Sequence, residues 1–246
     1  MSELFVSPVT DRSLRVFSRS TCIRNVKSFR ELAATSFADD INALCWERSL
    51  PGGFREIAER LGGGEGIVPL DEARLLALDV SASGKAAIEF MLADFRSLQE
   101  LGRDPVLNCI HEYPRDEAFG PVATDVFSFH ADSAPIEADT WLCTYFGAPS
   151  EGLRNDEAVR RVAIPETRAE LLRVFGGEDG PEFEEFLRDN CYDLHYAPRP
   201  EARPYSFGVG NLWRIAVDWP GSAVPPCIHR APRTLPGELP RLLLIS

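Results

Sequence analysis

The sequence predicts an α+β protein with a mainly β core, and three observations lead to that fold class. Before about residue 104, apolar residues recur at helical spacing. From residue 105 onward, short β-type runs are separated by Pro, Gly and Asp. A helical insertion at about residues 155–205 interrupts these runs. Several short strands bounded by turn residues favour a sandwich, jelly roll or barrel over a parallel α/β sheet.

The first 104 residues are predicted to form a helical support region. Ser28 is a helix-capping residue that precedes apolar positions at helical spacing, and residues 54–61 form an amphipathic segment that ends at a run of glycines. The longest helix is predicted over residues 84–101, because apolar side chains repeat there with helical period. A short apolar run at residues 4–6 is long enough for a strand.

The remainder, residues 105–246, is predicted to form the β core. The expected strands cover residues 106–111, 125–129, 140–146, 207–217, 227–230 and 239–245. Residues 165–190 have a helical pattern, with Pro165 near the helix start. The Pro/Arg-rich residues 197–204 are predicted to form a loop that covers a site.

The charge balance excludes several classes of partner. The chain has 26 Lys and Arg against 38 Asp and Glu, a net charge of −12, which repels nucleic acid and anionic lipid. An anionic small molecule therefore needs a locally placed Arg. No apolar run is long enough to cross a bilayer. The six cysteines lack CxxC spacing and no N-terminal signal segment is evident, so we expect a cytoplasmic protein with reduced thiols.

The segment Phe127-Ser-Phe-His-Ala-Asp132 is the sharpest chemical feature. On an extended chain, residues two apart project to the same side, so His130 and Asp132 can bind one ion. Of the other three histidines, His229 is the best third ligand because it also ends a short apolar run. Two His and one carboxylate leave open positions on the ion, as in non-haem iron(II) oxygenases.

The order of residues after His229 resembles the 2-oxoglutarate/iron(II) dioxygenase superfamily, in which a distal metal His precedes a strand bearing Arg or Lys. Here the strand begins at Arg241, twelve positions later. The resemblance implies a double-stranded β-helix (jelly roll) as the catalytic core. It also implies that His130, Asp132 and His229 hold Fe(II) and that Arg241 binds the far carboxylate of 2-oxoglutarate.

A second likeness involves the run Trp141-Leu-Cys-Thr-Tyr-Phe-Gly147, which resembles a strand of prolyl-hydroxylase-like members. By that likeness Tyr145 would donate a hydrogen bond to the cosubstrate. Arg230 is a further candidate for contacting its carboxylate, because it flanks His229. The same motifs, with Asn42-Ala-Leu-Cys-Trp-Glu-Arg48, also resemble an uncharacterised bacterial domain family, from which no function can be inferred.

The resemblance implies an enzyme that uses dioxygen to oxidise, and specifically to hydroxylate, a small molecule or peptide. Two alternatives stay open. One is a cupin-type metalloenzyme with the same three ligands that does not use 2-oxoglutarate. The other is a non-enzymatic protein that binds a metal or a small molecule. The composition leaves the oligomeric state open.

Several candidate residues also have ordinary structural explanations. His111 is an alternative third ligand, but no Arg-bearing strand follows it. Arg230 and Arg233 are also typical of solvated or ion-paired loop residues. His195, in the predicted covering loop, could contact the substrate there, although a surface His is the ordinary explanation. Trp213 is expected in the core.

Overall fold

The chain forms a mainly β α+β protein in a computed structural model that describes residues 22–115, 120–233 and 237–246. The predicted run at residues 4–6 lies outside these residues. Within them, the α-helices are α1 (Phe29–Ala34), α2 (Phe54–Leu61), α3 (Glu72–Leu76), α4 (Ala82–Glu100), α5 (Pro165–Phe175) and α6 (Pro181–Asp189). None of these helices has the length and apolar character that a bilayer span requires.

The strands form two sheets. In chain order they are β1 (Ile23–Val26), β2 (Ala43–Trp46), β3 (Ile67–Leu70), β4 (Val106–Ile110), β5 (Phe129–His130), β6 (Asp139–Phe146), β7 (Glu151–Leu153), β8 (Ala158–Arg160), β9 (His195–Pro198), β10 (Tyr205–Ser206), β11 (Leu212–Ala216), β12 (Ile228–Arg230) and β13 (Arg241–Ile245). One sheet has the order β1-β2-β11-β6-β13-β4-β3, and the other has the order β10-β7-β12-β5-β9-β8.

Eight of these strands pair in a nested manner. Strand β4 pairs with β13, β5 with β12, β6 with β11, and β7 with β10, and every pair is antiparallel. The members of each pair belong to the same sheet, while strands β4 to β7 alternate between the two sheets. This nesting brings the beginning and the end of the β region together.

The two faces of the seven-stranded sheet pack against different parts of the chain. On one face, Trp141, Leu242 and Leu244 pack with Met91 and Leu98 of α4 in an apolar cluster. On the other face, residues such as Leu142, Ile215 and Leu243 cluster with Phe207, Cys227 and Ala231, which lie on or beside strands of the second sheet. We refer to the latter as the inner face, because it is enclosed between the sheets.

The helix predictions are largely confirmed. The Ser28 hydroxyl accepts a hydrogen bond from the Glu31 backbone N–H, which caps α1. Helix α2 has the predicted bounds, and α5 begins at Pro165 as expected. Helix α4 starts two residues earlier than predicted, because Ser81 rather than a later residue caps it.

The prediction for the first 104 residues omitted three strands. Strands β1, β2 and β3 lie in the same sheet as β4, β6, β11 and β13, so this region contributes to the β core as well as covering it. Each of the three is only four residues long, which is too short for a period-2 pattern to be distinguished from a loop. The four short strands β7 to β10 were also not predicted.

Two predicted strands, at residues 125–129 and 207–217, are shorter than expected by three residues or more. Residues 125–128 form a turn, in which the Asp125 carboxylate accepts hydrogen bonds from the backbone N–H groups of Phe127 and Ser128. Strand β11 begins at Leu212 rather than at residue 207, because Gly208 and Gly210 adopt positive φ angles that interrupt the extended backbone. The predicted covering loop is shorter as well, since β9 extends to Pro198.

Candidate metal centre

His130 and His229 lie opposite each other in neighbouring strands. Strands β5 and β12 are antiparallel, and the register pairs His229 with His130. Residues directly opposite in such a pair project to the same side of the sheet. The centroids of the two imidazole rings are 4.6 Å apart. Asp132 lies two residues beyond His130, so the predicted residues, far apart in the chain, come together at one place.

The ligand atoms of these three residues surround a small gap. His130 Nε2 is 3.8 Å from Asp132 Oδ1, and His229 Nε2 is 3.8 Å from Asp132 Oδ2. One ligand atom from each residue lies within 4.8 Å of the other two. Atoms bound at about 2.1 Å to one ion are separated by roughly 3 to 3.5 Å. The three side chains therefore need only small shifts to bind one ion.

The hydrogen bonds of the imidazoles direct their lone pairs toward this gap. His130 Nδ1 is 2.8 Å from the Ser128 carbonyl oxygen. A carbonyl only accepts, so Nδ1 must carry the proton and Nε2 is left with a lone pair. His229 repeats the arrangement with a longer contact, 3.4 Å from Nδ1 to the Cys227 carbonyl oxygen. A backbone partner on the far nitrogen is typical of histidines that bind metals.

The electrostatics of the site favour the protonation states that metal binding requires. Burial, together with the neighbouring His229, lowers the pKa of His130 below its ordinary value. Burial by itself would raise the pKa of Asp132. The net shift is nevertheless downward, because the opposing effects are larger; they come from His229, the Thr140 hydroxyl and His130. A neutral His130 imidazole beside an ionised Asp132 carboxylate can bind a cation without first releasing a proton.

Thr140 orients the carboxylate, a role that the sequence did not reveal. Its hydroxyl donates a hydrogen bond of 2.6 Å to Asp132 Oδ2. Thr140 is buried in β6, next to the strand end where Asp132 lies. A threonine within the mostly apolar strand β6 was the available signal.

Arg241 is buried on the inner face and binds only neutral groups. It is 4% exposed. Its Nη1 donates to the Tyr113 hydroxyl at 2.5 Å, and its Nη2 donates to the Thr144 and Ser150 hydroxyls at 2.7 and 2.9 Å. In the described part of the chain, Nε has no hydrogen-bond partner and no carboxylate lies within ion-pair distance of the guanidinium. The sequence placed Arg241 at a strand start but did not identify the three hydroxyls.

The structure places Tyr145 away from this site, so the prediction that it contacts the cosubstrate is wrong. Its hydroxyl donates to Asp94 Oδ2 at 2.7 Å, on the face of the sheet that the helices cover. Neighbouring residues of a strand project to opposite faces, and Thr144 is the one that faces Arg241. Tyr113 is the tyrosine that lies beside the guanidinium.

Arg230 is also directed away from the inner face, which corrects its assignment as a cosubstrate ligand. It forms an ion pair with Glu151 at 2.6 Å, and its guanidinium lies over the Phe129 ring, 4.3 Å from the centroid. The alternation along β12 explains this, because the side chain of His229 is directed inward. Arg233 is exposed.

The other two histidines occupy contrasting positions. His111 Nε2 lies 3.5 Å from the Cys109 sulfur and is not part of the ligand group, so it does not replace His229 as the third ligand. His195 was expected at the surface, but it lies in β9 and is only 4% exposed. Trp213 is in the core as predicted. All six cysteines are free.

Comparison with known proteins finds no protein-family model that matches the chain and no significant match among curated proteins.

Proposed function

We propose that the protein is a non-haem Fe(II)- and 2-oxoglutarate-dependent oxygenase that hydroxylates a small molecule or peptide. The observation that supports this proposal most strongly is the convergence of His130, Asp132 and His229, with Arg241 directed from the other sheet into the space between the two sheets. These four residues span more than 110 positions of the chain, so their grouping depends on the fold and not on local sequence.

The topology supports a double-stranded β-helix as the core. A jelly roll consists of eight antiparallel strands in two sheets, with the outer strands of the sequence paired and the inner ones nested within them. The pairs β4–β13, β5–β12, β6–β11 and β7–β10 follow that pattern. In this description β1, β2, β3, β8 and β9 extend the two four-stranded sheets at their edges.

The donor set fits iron(II). Two neutral imidazole nitrogens and one carboxylate oxygen on one side of an ion leave positions for other ligands, which is the arrangement of non-haem iron oxygenases. The contacts of both Nδ1 atoms with backbone carbonyls fix the tautomers, and the Thr140 hydroxyl holds the carboxylate. This arrangement would bind the ion with little rearrangement of the protein.

The surroundings of Arg241 fit a carboxylate. A buried guanidinium that lacks an anion is energetically costly, because burial removes its hydration and neutral hydroxyls replace it only in part. The Tyr113, Thr144 and Ser150 hydroxyls can also donate hydrogen bonds to a carboxylate that the guanidinium binds. A dicarboxylic 2-oxo acid would bind the ion at one end and Arg241 at the other.

The bound metal and the surrounding side chains have different roles in the proposed reaction. Bound iron supplies the chemistry of dioxygen-dependent oxidation coupled to decarboxylation of 2-oxoglutarate to succinate and CO₂. Arg241 and its hydroxyl partners orient the cosubstrate, so that its keto end is directed to the metal. Phe207, 6.3 Å from His229 between ring centroids, and the apolar inner cluster exclude water from the site.

The test is turnover of 2-oxoglutarate with Fe(II) and dioxygen, measured as succinate. We expect His130→Ala and Asp132→Ala to lower succinate formation by at least about 100-fold, because each removes a metal ligand. His111→Ala is the matched control and should retain activity, since His111 lies outside the ligand group.

The outcomes separate the proposal from its alternatives. Metal retention without succinate formation would favour a metalloenzyme that does not use 2-oxoglutarate, or a metal-binding protein without activity. If the wild-type protein neither retains iron under anaerobic loading nor forms succinate, the proposed function is wrong.

A further inference from the structure

The side chain of Tyr205 crosses the six-stranded sheet on the side that is directed to the space between the sheets. Strand β7 lies between β10 and β12, and its Gly152 is paired with Tyr205 in one strand and with His229 in the other. A Cβ atom at Gly152 would overlap the Tyr205 ring. The glycine therefore leaves the space through which the phenol extends over β7 toward β12, the strand of the proposed metal ligand His229.

The Tyr205 hydroxyl contacts two thiols. Its oxygen lies 3.6 Å from Cys227 Sγ, and it also forms a hydrogen bond with Cys22. Cys227 is 1% exposed, whereas Cys22 is half-buried. The Tyr205 ring stacks on Phe207, with the ring centroids 5.8 Å apart, and this stacking restrains the ring. A phenol and a buried thiol are thus held in contact inside the fold.

Cys227 lies close to a proposed metal ligand in the chain and on the same side of it. It directly precedes β12, two residues before His229, and belongs to the apolar cluster between the sheets. The Cys227 carbonyl oxygen lies 3.4 Å from His229 Nδ1. Residues two apart on extended chain project to the same side. The Cys227 thiol is therefore the next inward side chain before the His229 imidazole.

We propose that Tyr205 and Cys227 become joined by a thioether bond when the iron-loaded protein is exposed to dioxygen. This inference rests on the proposed function, because dioxygen at the proposed iron site is the oxidant. The Sγ–H bond and one ring C–H bond beside the hydroxyl-bearing carbon break, and a bond forms between Sγ and that ring carbon. Dioxygen takes up the two hydrogen atoms and is reduced to hydrogen peroxide. The phenol hydroxyl activates the ring carbons beside it for this coupling.

The bond would have two consequences for the site. It would remove a thiol that is otherwise open to stepwise oxidation near the metal. It would also connect β10 covalently to the start of β12, and so restrain the segment that carries His229.

The experiment compares peptide masses of the Fe(II)-loaded protein after exposure to dioxygen with those of the same protein kept anaerobic. Trypsin places Tyr205 and Cys227 in different peptides, because Arg214 separates them. We expect the aerobic sample to contain the two peptides joined, lighter than their sum by two hydrogen atoms, and still joined after treatment with a thiol reductant. Fragmentation of the joined peptides should locate the bond at Tyr205 and Cys227.

Three variants should lack the joined peptides. Tyr205→Phe keeps the ring but removes the activating hydroxyl, Cys227→Ser removes the sulfur, and Asp132→Ala removes a metal ligand. Cys109→Ser is the matched control and should retain the product, because Cys109 is a buried thiol on the sheet face that the helices cover.

The outcomes that would overturn the inference are distinct. Joined peptides that the reductant separates would identify a disulfide instead. A reductant-resistant product that contains Cys22 in place of Cys227 would show that the wrong thiol is assigned. Wild-type protein that retains iron and forms succinate but yields no joined peptides would refute the thioether and leave the proposed function intact. Protein that retains no iron and yields no joined peptides would refute both.

Discussion

Two buried arginines lie on opposite faces of the same sheet, and their environments differ in one respect. Arg48, with a side chain 8% exposed, donates two hydrogen bonds to the Asp94 carboxylate, at 2.7 and 2.8 Å. Arg241, 4% exposed, donates only to hydroxyl groups. The first cation has an anionic partner within the fold, and the second does not.

The pKa values of the two guanidinium groups shift in opposite directions. Burial would lower the pKa of Arg48, but its hydrogen bonds with Asp94 and the charge of Asp94 outweigh burial and raise it. Burial lowers the pKa of Arg241, and the Tyr113 hydroxyl opposes it only in part. The comparison indicates that Arg48 serves the stability of the fold, whereas the environment of Arg241 is suited to an anionic ligand.

The largest expected effect is on protein stability, when the buried ion pair between Arg48 and Asp94 is broken. Asp94→Ala should lower the free energy of unfolding by about 3–5 kcal/mol, because it leaves the Arg48 charge buried without its partner. Urea denaturation measures this change. A loss below about 1 kcal/mol would contradict the assignment of Arg48 and Asp94 as a structural pair.

A smaller effect is expected from ligand binding at Arg241. At about 100 times its dissociation constant, 2-oxoglutarate should stabilise the Fe(II)-loaded protein by about 2.7 kcal/mol, through mass action. Arg241→Met should remove most of this stabilisation. The free energy of unfolding of the variant without ligand should stay within about 1 kcal/mol of wild type, because the substitution breaks no internal ion pair. Thermal unfolding with and without the ligand measures both quantities.

The result for Arg241→Met can show whether Arg241 stabilises the fold or binds a ligand. If it loses several kcal/mol of stability without ligand, as Asp94→Ala does, Arg241 is a structural residue. Retained stabilisation by 2-oxoglutarate in this variant would exclude Arg241 as its carboxylate partner.

The smallest effects distinguish the two tyrosines. Tyr145→Phe should lower the free energy of unfolding by about 1–2 kcal/mol, because its hydroxyl donates to the buried Asp94, and it should leave 2-oxoglutarate affinity unchanged. Tyr113→Phe should weaken 2-oxoglutarate binding several-fold, because it removes a hydroxyl beside the Arg241 guanidinium. Denaturation and ligand titration of both variants check the contrast, and a reversal of the two results would contradict it.

The grouping of the metal ligands was predictable because it depends on few assumptions. His130 and Asp132 are two residues apart on extended chain, which sets their common direction, and only three other histidines compete for the third position. Arg241 was predictable as the first residue of an apolar run. The longer helices were predictable from their caps and their apolar period.

The face of the sheet on which each side chain lies was not predictable. Strand β6 is buried on both sides, so its sequence has no polar alternation to show that Thr144 faces inward and Tyr145 faces the helices. The burial of His195 in a strand was not predicted, because β9 is four residues long and overlaps a Pro/Arg-rich segment. The hydroxyls around Arg241 come from three separate parts of the chain, and only the fold brings them together.

The central claim is that His130, Asp132 and His229 hold iron while Arg241 holds the far end of a 2-oxo dicarboxylate. Anaerobic titration of the Fe(II)-loaded protein with 2-oxoglutarate tests it most directly, because chelation of the ion by the keto acid produces a visible charge-transfer band. We expect the band in wild type, its loss in Asp132→Ala, and at least about a tenfold weaker affinity in Arg241→Met. Iron-loaded wild-type protein that shows no band, or equal affinity in Arg241→Met, would contradict the claim.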